Sequence, residues 1–438
     1  MEYGLVAVWL LVFLGLALAA TPLVTRLFPR WPTGGVGFAL PVALLTLGVT
    51  AFWVGRVAYG PPALVAGLLV LVGLSVAVGL DRDTVRTELA ALGGSSNDDH
   101  SGAESAVVTR LRGLADALRA GLRVDDSAIS RVAVAETALV FLLAFGFLVA
   151  VRAVDPAIFP RAGEKFLDFG LLQSLTRADT LPPEDMWFAG EPVRYYYGGH
   201  LVSHLLAMLT GTPPRYAYNL ALATVFATYV TGAFDLAGAV AASRGYDRRT
   251  AAWVGAFFVG LAGNVQTGGR LLLQALPSGL QSSAVAAIQP HVEADVAAML
   301  SPDYWGPFRT MWNSSRVIPG TINEFPLFAF LNGDLHAHMV GPTFLLLAAA
   351  VAFALYRTPA EESGRRRALL FGVVPVIGAF QAVVNTWGFP TVFGLAWLAL
   401  ALAPAPPRSL LPELARAPLD SVLGRVDPRE GAVADGGA

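Results

Sequence analysis

The sequence predicts an all-α, polytopic helical membrane protein. Composition, the recurrence of apolar runs and the clustering of arginine between them all point there. Of 438 residues, 55% are hydrophobic and 14% charged, with a mean hydropathy of +0.57. A soluble domain carries about 25% charge, whereas each bilayer span takes roughly 20 apolar residues. Runs of that kind cover 4–20, 36–58, 63–80, 132–154, 218–242, 251–263, 339–356, 368–384 and 390–404. A shorter run at 200–209 brings the expectation to nine or ten hydrophobic segments. Only Glu2 charges the stretch before the first run. A signal peptide has a basic leading region, so this run reads as a retained span.

Arginine sets the expected orientation. Residues 81–131 carry seven Arg. Further clusters follow two spans, at Arg244, Arg248 and Arg249 and at Arg365, Arg366 and Arg367. These regions are expected on the cytoplasmic side, with 155–194, 264–338 and 385–390 facing outward. One full crossing must then separate Arg194 from Arg244. Run 218–242 supplies it, and 200–209 reads as re-entrant or interfacial. The organisation expected is N-terminal spans over 1–80, a cytoplasmic polar loop over 81–131, a membrane domain over 132–404 and a disordered tail over 405–438. Within 81–131, the Gly/Ser/Asn-rich stretch 93–104 reads as a linker and 105–123 as an amphipathic helix.

Net charge is −2, which gives no basis for a nucleic-acid partner. The bilayer itself is the expected partner, in a multi-pass location in the cell membrane. Without cysteine there are no disulfides, thiol nucleophiles or Cys-ligated metals.

The first outer loop concentrates chemistry. Glu164, Lys165 (the only lysine) and Asp168 open it, and Arg194, Tyr195, Tyr196, Tyr197 and His200 close it. A carboxyl group beside a membrane pocket loses solvation, which raises its pKa toward a general base's range. Arg and Lys grip phosphate, and tyrosines offer a stacking face to a sugar. The same tyrosines also suit a plain interfacial belt. Glu164 and Asp168 could share a helix face or form a salt-bridged turn with Lys165. His200 and His204 have helical metal-ligand spacing, but the acid of the zinc-protease motif is missing between them.

The second outer loop brings Arg316, Glu324, Asp334, His336 and His338 to the edge of a span. Ionisable groups at a membrane boundary suggest function. If extended, Asp334, His336 and His338 would point to one side, an oxygen–nitrogen–nitrogen set suited to a divalent cation. The plain alternative is a polar helix cap with Asp334 as the capping residue. Asn385 heads a third polar–aromatic junction on the same expected face.

Tyr195-Tyr-Tyr-x-Gly199, with Glu324-Phe-Pro326 and Asp334-Leu-His336-x-His338, resembles the "YYY" family of large membrane proteins, known mainly from archaea and Chloroflexi. The resemblance covers about 133–404. Typical members are longer, which implies that this chain is truncated or split. A more distant resemblance is to glycosyltransferases of the C-type fold that use polyprenyl-phosphate sugars. Those place an acid after a span, then short amphipathic helices, then Pro and Gly-x-Pro, then an aromatic entry to the next span. Glu164, Pro182-Pro183, Gly190-x-Pro192 and Tyr195–Tyr197 follow that order. A glutamate stands where an aspartate is more usual.

The resemblance implies transfer of a sugar from a polyprenyl-phosphate donor to an acceptor on the outer face. Glu164 or Asp168 would be the base. Lys165, Arg194, His200, His336 and Arg316 are candidates to stabilise the leaving phosphate, with metal assistance through Asp334 and its histidines an option. No cofactor is otherwise required. A transporter using Asp235, or a non-enzymatic scaffold, are the alternatives.

Overall fold

Small residues dominate Pro214–Ser243, and the 30 residues form the longest helix. Ala, Gly and Thr let neighbouring backbones approach closely, which is what drives helix association where lipid is as apolar as leucine. Thr224 and Thr228 fold their hydroxyls back onto carbonyls one turn earlier, at 2.7 and 2.9 Å, so neither exposes a polar group. This helix is 83% buried over its apolar window. It is the axis around which the rest is arranged.

The computed structural model describes residues 3–79, 87, 129–158, 164–292, 295–301, 306–318, 321 and 323–411. The expected linker at 93–104 and amphipathic helix at 105–123 lie outside the described residues. The helices in order are α1 (Tyr3–Leu27), α2 (Ala39–Val54), α3 (Pro61–Gly79), α4 (Arg131–Val154), α5 (Lys165–Arg177), α6 (Gly198–Thr210), α7 (Pro214–Ser243) and α8 (Arg248–Gly260). Five short ones follow: α9 (Gln266–Gln274), α10 (Ser278–Ile288), α11 (Val296–Met299), α12 (Pro307–Ser315) and α13 (Pro326–Asn332). The chain then returns through α14 (Ala337–Arg357), α15 (Ser363–Val384, with a π-helical stretch at Ala368–Val373) and α16 (Phe389–Leu402). No strand occurs among the described residues. The chain is a polytopic helical membrane protein.

Among the described residues seven helices, α1, the segment Val36–Val54 containing α2, α3, α4, α7, α14 and α15, are long and apolar enough to cross a membrane. Helices α2, α7 and α14 are mostly buried, while α1, α3 and α4 expose most of their surface. On α1, Trp9, Phe13, Leu16, Ala20 and Val24 face inward, and Leu11, Leu14 and Leu18 face outward. With apolar residues over most of its surface, α1 is held by shape and by a few polar ties. Trp9 Nε1 donates to Thr212 Oγ1 at 2.8 Å, and Ser75 of α3 donates to the Ala19 carbonyl at 2.6 Å.

The bundle has two distinct ends. At one, Arg365 donates to the carbonyls of Arg26 and Leu27. There too Arg30 pairs with Glu362, and both Arg248 and Arg249 pair with Glu136. Arg366, fully buried, donates to the Thr358 and Ala405 carbonyls at 2.9 and 3.3 Å. At the opposite end lie α5, loop 178–197, residues 333–336 and the junction at 385–388.

Helix α6 enters and returns at that opposite end. Gly198 abuts Val383 and Val384 where α15 finishes, and Gly199 abuts Val340 in the first turn of α14. Thr212, just past the far end of α6, meets Trp9 in the second turn of α1. Its 13 residues measure about 20 Å, short of a bilayer core of about 30 Å. Helix α8 is equally short and lies along α7, Gly255 against Ala233 and Ala237, Gly260 against Val230.

The tail corrects one expectation. Disorder from 405 onward does not hold over 405–411, where Pro407–Leu410 forms a 3-10 turn and Ala405 and Ser409 are buried. The Arg366 guanidinium needs the Ala405 carbonyl as acceptor, which ties this segment down.

Candidate functional site

On α5, Asp168, Leu171, Leu172 and Leu175 recur at helical spacing and are all buried. The pattern that turns three leucines inward takes Asp168 with them. Asp168 is 0% exposed, and a buried carboxylate must find donors. Its Oδ1 accepts from His200 Nε2 at 3.0 Å, in the first turn of α6, and from His336 Nδ1 at 3.2 Å. Among the described residues its Oδ2 is buried with no hydrogen-bond partner.

His336 is placed by a short extended segment. Helix α13 ends at Gly333 with φ of 80°, and residues 334–336 run extended into α14, for which His336 is the N-cap. Tyr218 of α7 pins this segment. Its hydroxyl donates to the Gly333 carbonyl at 3.2 Å and accepts the Leu335 N–H at 3.1 Å. Alternation then sends Leu335 into the core and His336 toward α5.

The result is a polar chain running from solvent to core. Glu164, just before α5, is exposed, and its Oε2 lies 3.2 Å from His336 Nδ1. The other ring nitrogen, Nε2, is 3.0 Å from the Tyr195 hydroxyl. Tyr196 lies tilted against Tyr195 with centroids 4.1 Å apart. The Glu164 N–H donates to Asp334 Oδ1 at 3.0 Å, which ties the two outer loops together.

The electrostatics follow from this geometry. Burial opposes the charge on Asp168, but hydrogen bonds from His200 and His336 outweigh it and hold its carboxyl below the usual range. Burial likewise opposes a charged His336, yet the carboxylates of Asp168, Glu164 and Asp334 raise it. Asp334 is pushed up to about 6 by burial and then by the neighbouring Asp168 charge. Burial, helped by Arg152, lowers Lys165. Burial and the Tyr196 hydroxyl raise Tyr195. An imidazole backed by a buried carboxylate and facing a tyrosine hydroxyl can hold and pass a proton.

Of the residues singled out in the sequence, Glu164, Lys165, Asp168, Tyr195, Tyr196, His200, Asp334 and His336 gather here. Arg316, Glu324 and His338 form a neighbouring group. The Arg316 guanidinium packs over Trp312 and Phe328, at 3.9 and 4.6 Å from the ring centroids. It pairs with Glu324 at 2.7 Å, and His338 Nε2 approaches Glu324 at 3.9 Å. The His336 and His338 rings are 5.2 Å apart, so the two groups adjoin.

Other expectations are corrected. Asp334, His336 and His338 do not converge as ligands. The helix begins at Ala337, and its rotation carries His338 away toward Glu324. Among the described residues no group of three His, Asp or Glu is placed to hold a metal. The capping position belongs to His336 rather than Asp334. His200 and His204 diverge as well, His204 bonding the Tyr59 hydroxyl at 2.7 Å. Arg194 is exposed and pairs with Glu191 in its own loop at 3.2 Å. Tyr197 is buried against Phe52 as a packing residue. Asn385 caps the turn Thr386–Gly388, its Oδ1 accepting from Trp387 N–H at 3.3 Å.

Asp235, the intraspan acid, accepts from Thr33 Oγ1 at 2.5 Å and from the Gly37 N–H at 2.9 Å. It ties the 33–37 turn to α7. Sequence reasoning missed Arg152 and Tyr218. A charge in the last turn of an apolar helix was the signal for Arg152. Tyr218 looked like an ordinary interfacial aromatic.

Residues 46–434 match the model of a family described as uncharacterized membrane protein, DUF2298. No curated protein and no solved structure matches the chain.

Proposed function

The chain belongs to the uncharacterized membrane protein family DUF2298, and we propose that it is a membrane-embedded transferase that moves a sugar from a polyprenyl-phosphate donor to an acceptor hydroxyl outside the cytoplasm. One observation carries this reading. The exposed Glu164 carboxylate and the buried Asp168 carboxylate both face His336 Nδ1, with Tyr195 at the other nitrogen of the imidazole. The order of acid, amphipathic helix, Gly-x-Pro loop and tyrosines, which resembles C-type glycosyltransferases, adds to it.

In the proposed step the acceptor oxygen attacks the anomeric carbon of the donor sugar. The bond from that carbon to the phosphate oxygen breaks, and its electron pair leaves with the lipid phosphate. Glu164 takes the acceptor's proton. Burial excludes Asp168 from direct contact with an acceptor, so its role here is to hold the His336 ring and balance its charge. Tyr195 and Tyr196 offer aromatic faces to the sugar.

The test uses the protein reconstituted in lipid with a panel of polyprenyl-phosphate sugars and assays glycosylated product. Glu164→Gln keeps size and hydrogen bonding but removes proton acceptance. A loss of about 100- to 10,000-fold in rate is expected, with the thermal midpoint preserved. Absence of any transfer by the wild-type protein across the panel, or an unchanged rate in Glu164→Gln, would overturn the reading.

A further inference from the structure

Helices α1 and α4 meet where Phe13 packs edge-on against Phe141 and Phe145. Nearer the Glu164 end they part. A cleft of about 220 Å³ opens there, walled by Leu5, Val6, Val149, Ala153 and Leu220. Its apolar walls belong to α1, α4 and α7, and both α1 and α4 turn their outer faces to the surroundings. A hydrocarbon chain could therefore enter from the side.

Among the described residues, one charged residue lines this cleft. Arg152 is 3% exposed. Its Nε donates to Asn219 Oδ1 at 2.9 Å and its Nη2 to the Ala157 carbonyl at 3.2 Å. Among the described residues its Nη1 is buried without a hydrogen-bond partner, with the Asp155 carboxylate as a longer ion-pair contact at 3.7 Å. A guanidinium presents donors in a fixed fork suited to phosphate, and leaving one buried and unused is costly. Lys165, also buried, adds positive charge close by. The Arg152 guanidinium touches Gly333, next to Asp334, so the cleft's polar end adjoins the Glu164–His336 chain.

We propose that this cleft binds the apolar chain of a phosphate-headed isoprenoid lipid, with its phosphate seated on Arg152 and Lys165. The inference deepens the transferase reading and rests on it for the identity of the lipid. At about 220 Å³ the cleft suits one chain rather than the paired acyl chains of a bulk phospholipid.

The experiment measures binding of radiolabelled farnesyl phosphate to the full chain in neutral detergent. Farnesol, inorganic phosphate and dioleoyl phosphatidate serve as competitors. Each is expected to compete at least tenfold more weakly than unlabelled farnesyl phosphate. Arg152→Met should weaken binding about ten- to a hundredfold, the worth of a charge-assisted hydrogen bond. Arg152 also holds Asn219, so that variant could lose its fold. Val149→Trp, which fills the cleft from a partly exposed wall, should weaken binding without touching the charges. Glu191→Gln, in the exposed loop, should bind as wild type. Equal competition by farnesol or by phosphatidate, or full binding by folded Arg152→Met and Val149→Trp, would overturn the proposal. Sugar transfer failing while this binding persists would remove the transferase reading alone. Transfer persisting in Arg152→Met would remove this site alone.

Discussion

His336 Nδ1 lies 3.2 Å from the buried Oδ1 of Asp168, joining the N-cap of one membrane-spanning helix to the inward face of an amphipathic helix 168 residues earlier. The pair raises the one group and lowers the other, so each favours its charged form despite burial. It is also the point where the two outer loops become one site.

Asp168→Asn should therefore lower stability in detergent by about 1–3 kcal/mol at neutral pH, read as a lower thermal midpoint. The dependence on pH has a fixed sign. Asp168 is depressed in the fold, so its contribution is present above about pH 4 and is lost as pH falls through the folded value. His336 is raised, so its contribution is complete below about pH 6.5 and is lost as pH rises through the folded value. The gap between wild type and variant should be widest between those limits. A gap that does not change with pH would contradict the ion pair.

Asp334→Asn should stabilise the protein. Its carboxyl is pushed up to about 6, against about 3.9 in an unfolded chain. The fold thus holds this proton more tightly, and stability drains away as pH rises from about 4 to about 6. Asparagine cannot ionise, yet it keeps an oxygen for the Glu164 N–H. The variant's midpoint should equal wild type near pH 4 and exceed it at pH 8, by up to about 2–3 kcal/mol. Thermal scans at the two pH values decide it.

Gly333→Ala tests the backbone that aims His336. The φ of 80° costs a side chain about 1–2 kcal/mol. A Cβ there would also come within 2.7 Å of Arg152 Nη1. Gly333→Asn tolerates the dihedral but keeps the clash, so it should recover little of the lost stability. Full recovery in the asparagine variant would mean that the Arg152 contact is unimportant.

Much of this was legible in the sequence, for physical reasons. Lipid demands long uninterrupted apolar runs, so the spans from 4–20 to 339–356 stand out. That ionisable groups would collect at the span ends was readable in outline, because charges there have few places to go. The partner of each group was not readable. Whether residues 334–338 stay extended or turn helical decides between a three-ligand set and the observed divergence, and that choice rests on Tyr218, over a hundred residues away. Asn385 and Tyr197 looked chemical because their residue types are, but a cap and a packed ring use the same atoms.

Asp235→Ala should destabilise without a specific functional defect. It removes the acceptor for Thr33 Oγ1 and the Gly37 N–H, both buried. Two orphaned donors cost about 2–4 kcal/mol together. Asp235→Asn keeps one good acceptor and should lose less. Any activity should fall only with the folded fraction. Loss of function in Asp235→Asn at an unchanged melting midpoint would instead revive a transport role for this carboxyl.

Sidedness can be measured cleanly, because the chain has no cysteine to label. Ala189 is exposed in the loop beside the Glu164 end, and Glu361 is exposed at the arginine end. Ser174, although in the same outer loop, is buried and would report nothing. Arginine clusters mark the cytoplasmic side. They place Glu361 inside and Ala189 outside. Ala189→Cys should react with a membrane-impermeant thiol reagent in intact cells. Glu361→Cys should react only after permeabilisation. Both positions are exposed, so neither substitution should disturb the fold, and a melting scan of each purified variant checks that. The reverse labelling pattern would put the Glu164–His336 chain in the cytoplasm. A transferase acting on the outer face would then be excluded, whatever the site can do chemically.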